Sequence, residues 1–218
     1  MKQNYKENLD LLKKEIDMRK SWISSDYHFG EDRFDLMGRP FKTVDEHNNT
    51  IIDRHNELVA PEDIVFVNGD VIYQKANIDE MLPLIGKMNG RKVLIRGNHD
   101  RVVTDEQFKP YFETIVAEGG GVPVEVEGIP CYITHYPTQG VKDRFNLVGH
   151  IHAAFKFQLN MMNVGVDVNH FYPVSMDKVP FFVRAITEFY DEDVWVAYRE
   201  ENSSYRETRG KKDVYFKG

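Results

Sequence analysis

Seven side chains with metal-binding atoms each follow a short apolar run: Asp26, His28, Asp70, Asn98, His135, His150 and His152. Ser-Trp-Ile-Ser-Ser at 21–25 leads into Asp26 and His28, and Ile64–Val67 leads into Gly69 and Asp70. Val93, Leu94 and Ile95 lead into Gly97, Asn98, His99 and Asp100. Ile129–Thr134 leads into His135, and Asn146–Val148 into Gly149, His150 and His152. Carboxylate, amide and imidazole donors together suit Mn, Fe, Zn, Co or Ni better than the all-oxygen sites of Ca or Mg. Seven donors are too many for one ion and enough for two that share a carboxylate. Two ions about 3.5–4 Å apart clamp the attacking and leaving oxygens of an in-line displacement at phosphorus, and they acidify a bound water.

Strands must deliver these side chains, because open α/β sheets form their sites at the carboxyl ends of strands. The first half of the chain reads as strand and helix in alternation. A helix is expected over residues 3–20, with Leu9, Leu12 and Ile16 on one side. Residues 29–42 are irregular, broken by two glycines and a proline. Thr43 and Glu46 form a capping-box pattern opening a helix to about Leu58, whose apolar stripe carries Val44, Ile51, Ile52, Leu58 and also His55. A further helix begins near Asn77, presents Ile78, Met81, Leu82, Ile85 and Met88, and should be bent or interrupted at Pro83 and end by Gly90. Such alternation implies parallel pairing with crossover helices. From Glu113 the pattern changes to short strands over 113–118, 122–127, 129–134, 146–149, 163–166, 181–188 and 193–199. The expected fold is α/β: a two-sheet sandwich with helices outside and the site along one edge. Residues 1–200 read as one domain and 201–218 as a polar tail.

Composition narrows the functional classes. With 218 residues the chain can bury a full core, and 41% hydrophobic with 29% charged residues is ordinary for a globular protein. No run approaches the roughly 20 apolar residues of a membrane span, and the charged N-terminus lacks the apolar stretch of a signal peptide. The single cysteine, Cys131, lies in an apolar run and suits a reducing compartment, so a cytoplasmic location is expected. A net charge of −7 argues against broad nucleic-acid binding, although divalent cations would reverse the sign locally.

The motifs D-x-H at 26–28, G-D at 69–70, G-N-H-D at 97–100, His135 and G-H-x-H at 149–152 together resemble the calcineurin-like metallophosphoesterases. They occur in that family's order, and NVGVDVNHFYPVS at 163–175 extends the resemblance to its small single-domain bacterial and phage members. The resemblance implies a four-layer αββα sandwich of two mixed sheets. It implies one metal held by Asp26, His28, Asp70 and His152, and a second held by Asp70, Asn98, His135 and His150. Asp70 would bridge them, as a carboxylate with two oxygens can. It implies two divalent ions, Mn first with Fe, Zn, Ni or Co as alternatives, and hydrolysis of a phosphate ester by a metal-bridging hydroxide. Asn98 would also contact the phosphate. His99, beside a ligand without being one, would donate a proton to the leaving oxygen or stabilise its charge.

Two positions depart from the resemblance. Many members carry Asp or Asn where this chain has Tyr73, a residue that orients the counterpart of His99; several carry His where this chain has Glu31. A weakened proton donor favours a phosphodiesterase, since good leaving groups need less help. The alternatives are a nuclease using the same chemistry, with nucleic acid as substrate only, and a scaffold that binds metal without turnover. Arg33, Arg39, Arg96, Arg101, Lys142 and Arg144 are candidates to grip phosphate. Lys142 and Arg144 rank first, because the loop at 137–145 lies between two ligands. His55 reads as a hydrogen-bonded core residue, His47 as a helix-surface residue and His170 as part of a turn; Asp100 and Asp167 read as holders of a turn or of a neighbouring ligand. Neither a membrane partner nor an oligomeric state is indicated.

Overall fold

The computed structural model describes residues 20–158 and 160–189. The expected helix at 3–20, the strand at 193–199 and the polar tail lie outside these residues, apart from Lys20.

Strands β1 (Ser21–Ser24), β2 (Ile64–Val67), β3 (Arg91–Ile95) and β4 (Thr114–Val116) run parallel in that order, and β10 (Val174–Ser175) joins β1 antiparallel. The second sheet contains β5 (Gly121–Val126), β6 (Ile129–Thr134), β7 (Phe145–Val148), β8 (Phe157–Gln158) and β9 (Met161–Asn163), ordered β5-β6-β7-β9-β8. There β6, β7 and β9 are parallel while β5 and β8 run antiparallel at the edges. The fold is therefore an α/β sandwich of two mixed sheets flanked by helices.

Side-chain alternation along the strands builds two cores. Ile23, Phe66, Val93 and Ile95 turn toward the second sheet and pack with Val122, Val124, Cys131, Ile133, Phe145 and Leu147. Val65, Val67 and Leu94 point the other way, against Ile51 and Ile52 of α2 (Val44–Leu58) and Leu82 and Ile85 of α3 (Ile78–Gly86). Thr43 caps α2 by accepting the Glu46 amide, whereas the Glu46 carboxylate reaches back to the Lys42 amide. Pro83 lies inside α3 without ending it. The irregular stretch after β1 contains one short helix, α1 (Phe34–Met37); a further one, α4 (Asp105–Phe108), follows the Gly97 turn.

Residues 181–188 are a correction. They form α5 (Val179–Arg184) and a following wide turn (Ala185–Phe189) rather than a strand. Val179, Val183 and Ile186 of this segment enter the inter-sheet core. A continuous apolar run does not reveal its period, and only packing separates helix from strand in that case. Residues 163–166 also differ: β9 ends at Asn163 and a 3-10 turn covers Val166–Val168.

The two sheets are tied at their carboxyl edges. The Asn68 side-chain amide, just after β2, donates to the Thr134 carbonyl at the end of β6 at 2.9 Å. The Val166 amide, beyond β9, donates to the Ser25 carbonyl at the end of β1 at 3.0 Å. The ends of β1, β2, β3, β6 and β7 thus meet along one line. No described helix is long and apolar enough to cross a membrane.

Candidate metal centre

Where the chain leaves these strands it turns in an unusual way. Asp26, His28, Asp70, His150 and His152 have φ of 61°, 52°, 54°, 73° and 47°. Left-handed backbone is uncommon for residues with a Cβ and costs about 1–2 kcal/mol each. Such strain persists only where the surroundings over-determine it. Here the Asp26 amide donates to Gly69, the His28 amide to Asp70 and the Gly149 amide to His135, all at 3.0 Å. Each turn aims its side chain inward.

Three groupings result: Asp26 with His28 and His152; Asp70 with His135 and His150; and His28 with Asp70 and His99. Within each, the donor atoms lie within 4.8 Å of one another, so these groups could hold metal ions. Asp70 Oδ2 stands 3.6 Å from His28 Nε2 and 3.4 Å from His135 Nε2. Both distances exceed a normal hydrogen bond. They suit ligands of a shared cation, since two donors about 2.1 Å from one tetrahedral ion stand about 3.4 Å apart. Both ring nitrogens of His28, Nε2 of His135, Nδ1 of His150 and Oδ1 of Asn98 are buried without a hydrogen-bond partner. Leaving one such atom unpaired costs about 1–3 kcal/mol. Their concentration at one spot, together with the donor chemistry, fits divalent cations.

Neighbouring groups aim the donors. The Nδ1–H of His135 donates to the Asn68 carbonyl at 2.7 Å, leaving Nε2 toward Asp70. The Nδ1–H of His152 donates to Asp167 Oδ2 at 2.9 Å. The Asp26 carboxylate accepts the His150 amide at 3.0 and 3.1 Å, and Asp70 Oδ1 accepts the His99 amide at 2.8 Å. Asp100 accepts the amides of Asp70, Val71 and Gly97 at 2.8–2.9 Å, which makes it the clasp between the β2 and β3 turns. Gly97 has to be glycine: a Cβ there would fall 2.3 Å from Asp70 Oδ1 and 2.7 Å from His135 Nε2.

Electrostatics set the site up for positive charge. Burial alone would raise Asp70, but the imidazoles of His135 and His28 draw its carboxyl below the usual range. Burial raises Asp26 above its ordinary value. Burial opposes charge on His135, yet the neighbouring Asp70 and Asp26 carboxylates lift it to about 9. Burial holds His28 well below its ordinary value, and lowers His150 and His99 as well. Burial, with repulsion from Asp70, pushes Asp100 up to about 6.

The basic residues are distributed differently from expectation. The structure does not bring Lys142 and Arg144 to the cluster. Arg144 Nη1 reaches the Cys131 carbonyl at 3.4 Å, and Cys131 pairs with Phe145 at the start of β7, whereas the ligands follow its end. Val141 and Arg144 are also bound to the Asn146 side chain, so the loop has already descended to the far edge by Lys142. Arg39 is not at the surface. It is buried beneath the cluster, donating to both Asp167 oxygens at 2.7 and 2.9 Å and to the carbonyls of Tyr27 and Asp26. Arg39 Nη1 also meets His47 Nε2 at 2.7 Å; His47 is buried under Phe34 and Phe41, not on a helix surface. Arg96 binds Asp105 and the carbonyls of Asp100 and Val103, and Arg101 pairs with Glu118. His55 is a core residue donating to the Asn89 carbonyl at 3.0 Å, and His170 is exposed.

A cleft of about 400 Å³ opens beside the cluster, lined by His28, His99 and His152 together with Glu31, Arg33 and Met37. The contributions of Asn68 and Arg39 as supports were not evident from sequence. The only hint for Asn68 was its place one residue before Gly69 at a strand end.

Comparison with known proteins adds the following. No protein-family model matches the chain. The chain is similar to the crystal structure of a protein of unknown function, AQ665, from Aquifex aeolicus, with a TM-score of 0.60 and 20% identity, covering 74% of this chain and 98% of that one. At that identity the likeness concerns the fold alone. It is 34% identical over 85 residues to the gene 66 protein of Mycobacterium phage L5, covering 38% of this chain and 41% of that protein. It is 31% identical over 175 residues to the uncharacterized protein MJ1445 of Methanocaldococcus jannaschii, covering 75% of this chain and 91% of that protein. On that identity and coverage, the chain belongs to the family of MJ1445.

Proposed function

We propose that this chain is a two-metal phosphoesterase of the calcineurin-like kind, and within that class a phosphodiesterase. The observation that carries the reading is Asp70 Oδ2, set between the unpartnered Nε2 atoms of His28 and His135 where the two donor groupings meet. Asp26, His28, Asp70 and His152 would hold one ion; Asp70, Asn98, His135 and His150 would hold the other. Mn leads among the candidates because the set mixes nitrogen with carboxylate and amide oxygen. When bound, such ions act as Lewis acids on the phosphate and lower the pKa of water toward neutrality.

The chain's own residues supply orientation. Asp167 and Asn68 fix which nitrogen of His152 and His135 faces the centre. His99 lines the cleft 4.5 Å from the His28 ring, edge to face, and burial keeps it neutral more readily than a free imidazole. Tyr73 lies beside His99 with ring centroids 5.9 Å apart, where a carboxylate would have supported an imidazolium. His99 therefore serves as a hydrogen-bonding contact to phosphate and a modest proton donor, which suits diesters with good leaving groups. The substrate is a phosphate ester, nucleic acid entering only as substrate, and the buried Cys131 thiol suits a cytoplasmic setting.

Hydrolysis of bis(p-nitrophenyl) phosphate should stop on chelation and return with Mn. A mono-ester, cyclic nucleotides and single-stranded oligonucleotides assayed at one salt concentration assign the subclass. His99→Ala should keep its metal and lose rate, by about 10²-fold, the low end of what a positioned proton donor contributes. Undiminished turnover by metal-free protein, or no turnover of any of these esters by the metal-loaded one, would overturn the proposal.

A further inference from the structure

Arg33 stands apart from the other arginines near the site. Its Nε donates to Glu31 Oε1 at 2.9 Å and its Nη2 to Glu31 Oε2 at 2.8 Å, a side-on pair that fixes the guanidinium plane. The Glu31 carboxylate that holds it has no solvent exposure and accepts the Asp32 and Arg33 amides as well, so the anchor is rigid. On its other face the guanidinium carbon lies 4.6 Å from the centre of the buried Tyr73 ring. These bonds engage two of the five guanidinium N–H groups. No hydrogen bond among the described residues takes the other three, and the side chain is 43% exposed. Arg33 lines the cleft with His28, His99 and His152.

Arg39, Arg96 and Arg101 are committed elsewhere, as described above, and Lys142 and Arg144 belong to the far edge. Arg33 is thus the arginine that the cleft itself presents. The two residues that hold it, Glu31 and Tyr73, are also the two at which this chain departs from the resembled family. Both departures have one structural meaning, which is to seat a cation beside the donor cluster.

We propose that Arg33 is a substrate-contacting residue that grips a non-bridging oxygen of the phosphate through its free N–H groups, with Glu31 and Tyr73 as its positioning residues. This rests on the phosphoesterase reading. A charge-assisted contact from a pre-oriented fork to a phosphate oxygen is stronger than a neutral hydrogen bond. Its absence weakens ground state and transition state alike, which raises KM and leaves kcat nearly unchanged.

The test compares wild type with Arg33→Gln, Arg33→Lys and Glu31→Gln, all loaded with Mn. KM and kcat on bis(p-nitrophenyl) phosphate are read beside competitive inhibition by inorganic phosphate and beside metal content. Arg33→Gln should raise KM and the phosphate inhibition constant about 10- to 100-fold, with metal content unchanged. Arg33→Lys should recover only part of the loss, since an ammonium cannot span the Glu31 carboxylate and the substrate together. Glu31→Gln should shift KM in the same direction by a smaller factor. Unchanged KM and phosphate inhibition in Arg33→Gln would overturn the assignment while leaving the hydrolase reading in place. A wild type that turns over no ester, yet binds phosphate by calorimetry in an Arg33-dependent manner, would sink the hydrolase reading and keep the contact.

Discussion

At the scale of single residues, the site is a set of buried polar atoms whose bonding is incomplete within the protein. Asp70 shows this most directly: one oxygen is occupied by the His99 amide at 2.8 Å, while the other faces two imidazole nitrogens at distances too long for hydrogen bonds. Such an arrangement has little tolerance for added volume. Gly97→Ala would push a methyl group into the Asp70 carboxylate and His135 Nε2. The same methyl would fall 2.8 Å from the Asp70 amide, so the turn that carries the carboxylate must shift too. Mn affinity should fall by at least about tenfold, as loss of supporting contacts to ligands does elsewhere. Equilibrium dialysis against Mn checks this, and affinity equal to wild type would mean the carboxylate is not where the metal sits. Residue type and position at strand ends single out seven donors, and six of them, Asp26, His28, Asp70, His135, His150 and His152, fall in the donor groupings, with Asn98 Oδ1 buried and unpartnered. The same reasoning misplaces Arg39, Lys142 and Arg144 because whether an arginine is buried under a site, exposed beside it or carried to the far edge depends on three-dimensional contacts that its neighbours in sequence do not encode.

At the scale of elements, the strands and α2 were legible because their patterns are strong. β3 alternates Val93 and Ile95 on one face with Leu94 on the other, and α2 begins with the Thr43 cap. The segment 181–188 was misread, since Phe181, Phe182, Val183, Ala185 and Ile186 form an apolar run without a decisive period. His47 was also misread, because the covering rings of Phe34 and Phe41 come from an irregular stretch with no periodicity to extrapolate. Both helix α2 histidines bear on stability. Burial holds His47 and His55 each at about 4, below the value near 6.5 of an unfolded chain. The unfolded chain therefore takes up protons first, and the stabilisation, full above pH 6.5, is lost progressively as pH falls toward 4. Each accounts for about 3 kcal/mol at most. Urea midpoints at pH 7 and pH 4.5 should fall apart for wild type and lie closer together for His55→Gln, where His47 alone keeps its share; an equal pH dependence in both would exclude His55 as a source.

At the scale of the whole molecule, the sandwich exists to bring the carboxyl ends of two sheets onto one line. Neither sheet alone holds the full donor set. The first supplies Asp26, His28, Asp70 and Asn98, and the second supplies His135, His150 and His152. The Asn68 side chain, the Val166 amide and the Asp26 carboxylate stitch the two edges together. This explains why the donors are spread from residue 26 to residue 152 and why their convergence could be inferred from strand ends before any contact was known. It also explains why Asn68 and Arg39 could not be, since both act across the seam between segments distant in sequence, whereas Asp167 and Asp100, read as supports of a turn or a ligand, do hold His152 and the amides of Asp70, Val71 and Gly97.

The most direct test of this account is the metal content of the purified chain after loading with Mn and removal of excess ion, read by elemental analysis for wild type and for Asp70→Ala. Wild type should retain about two ions per chain, the number a shared carboxylate can serve, and Asp70→Ala should retain none. A wild type that holds no Mn, or an Asp70→Ala variant that holds as much as wild type, would contradict it.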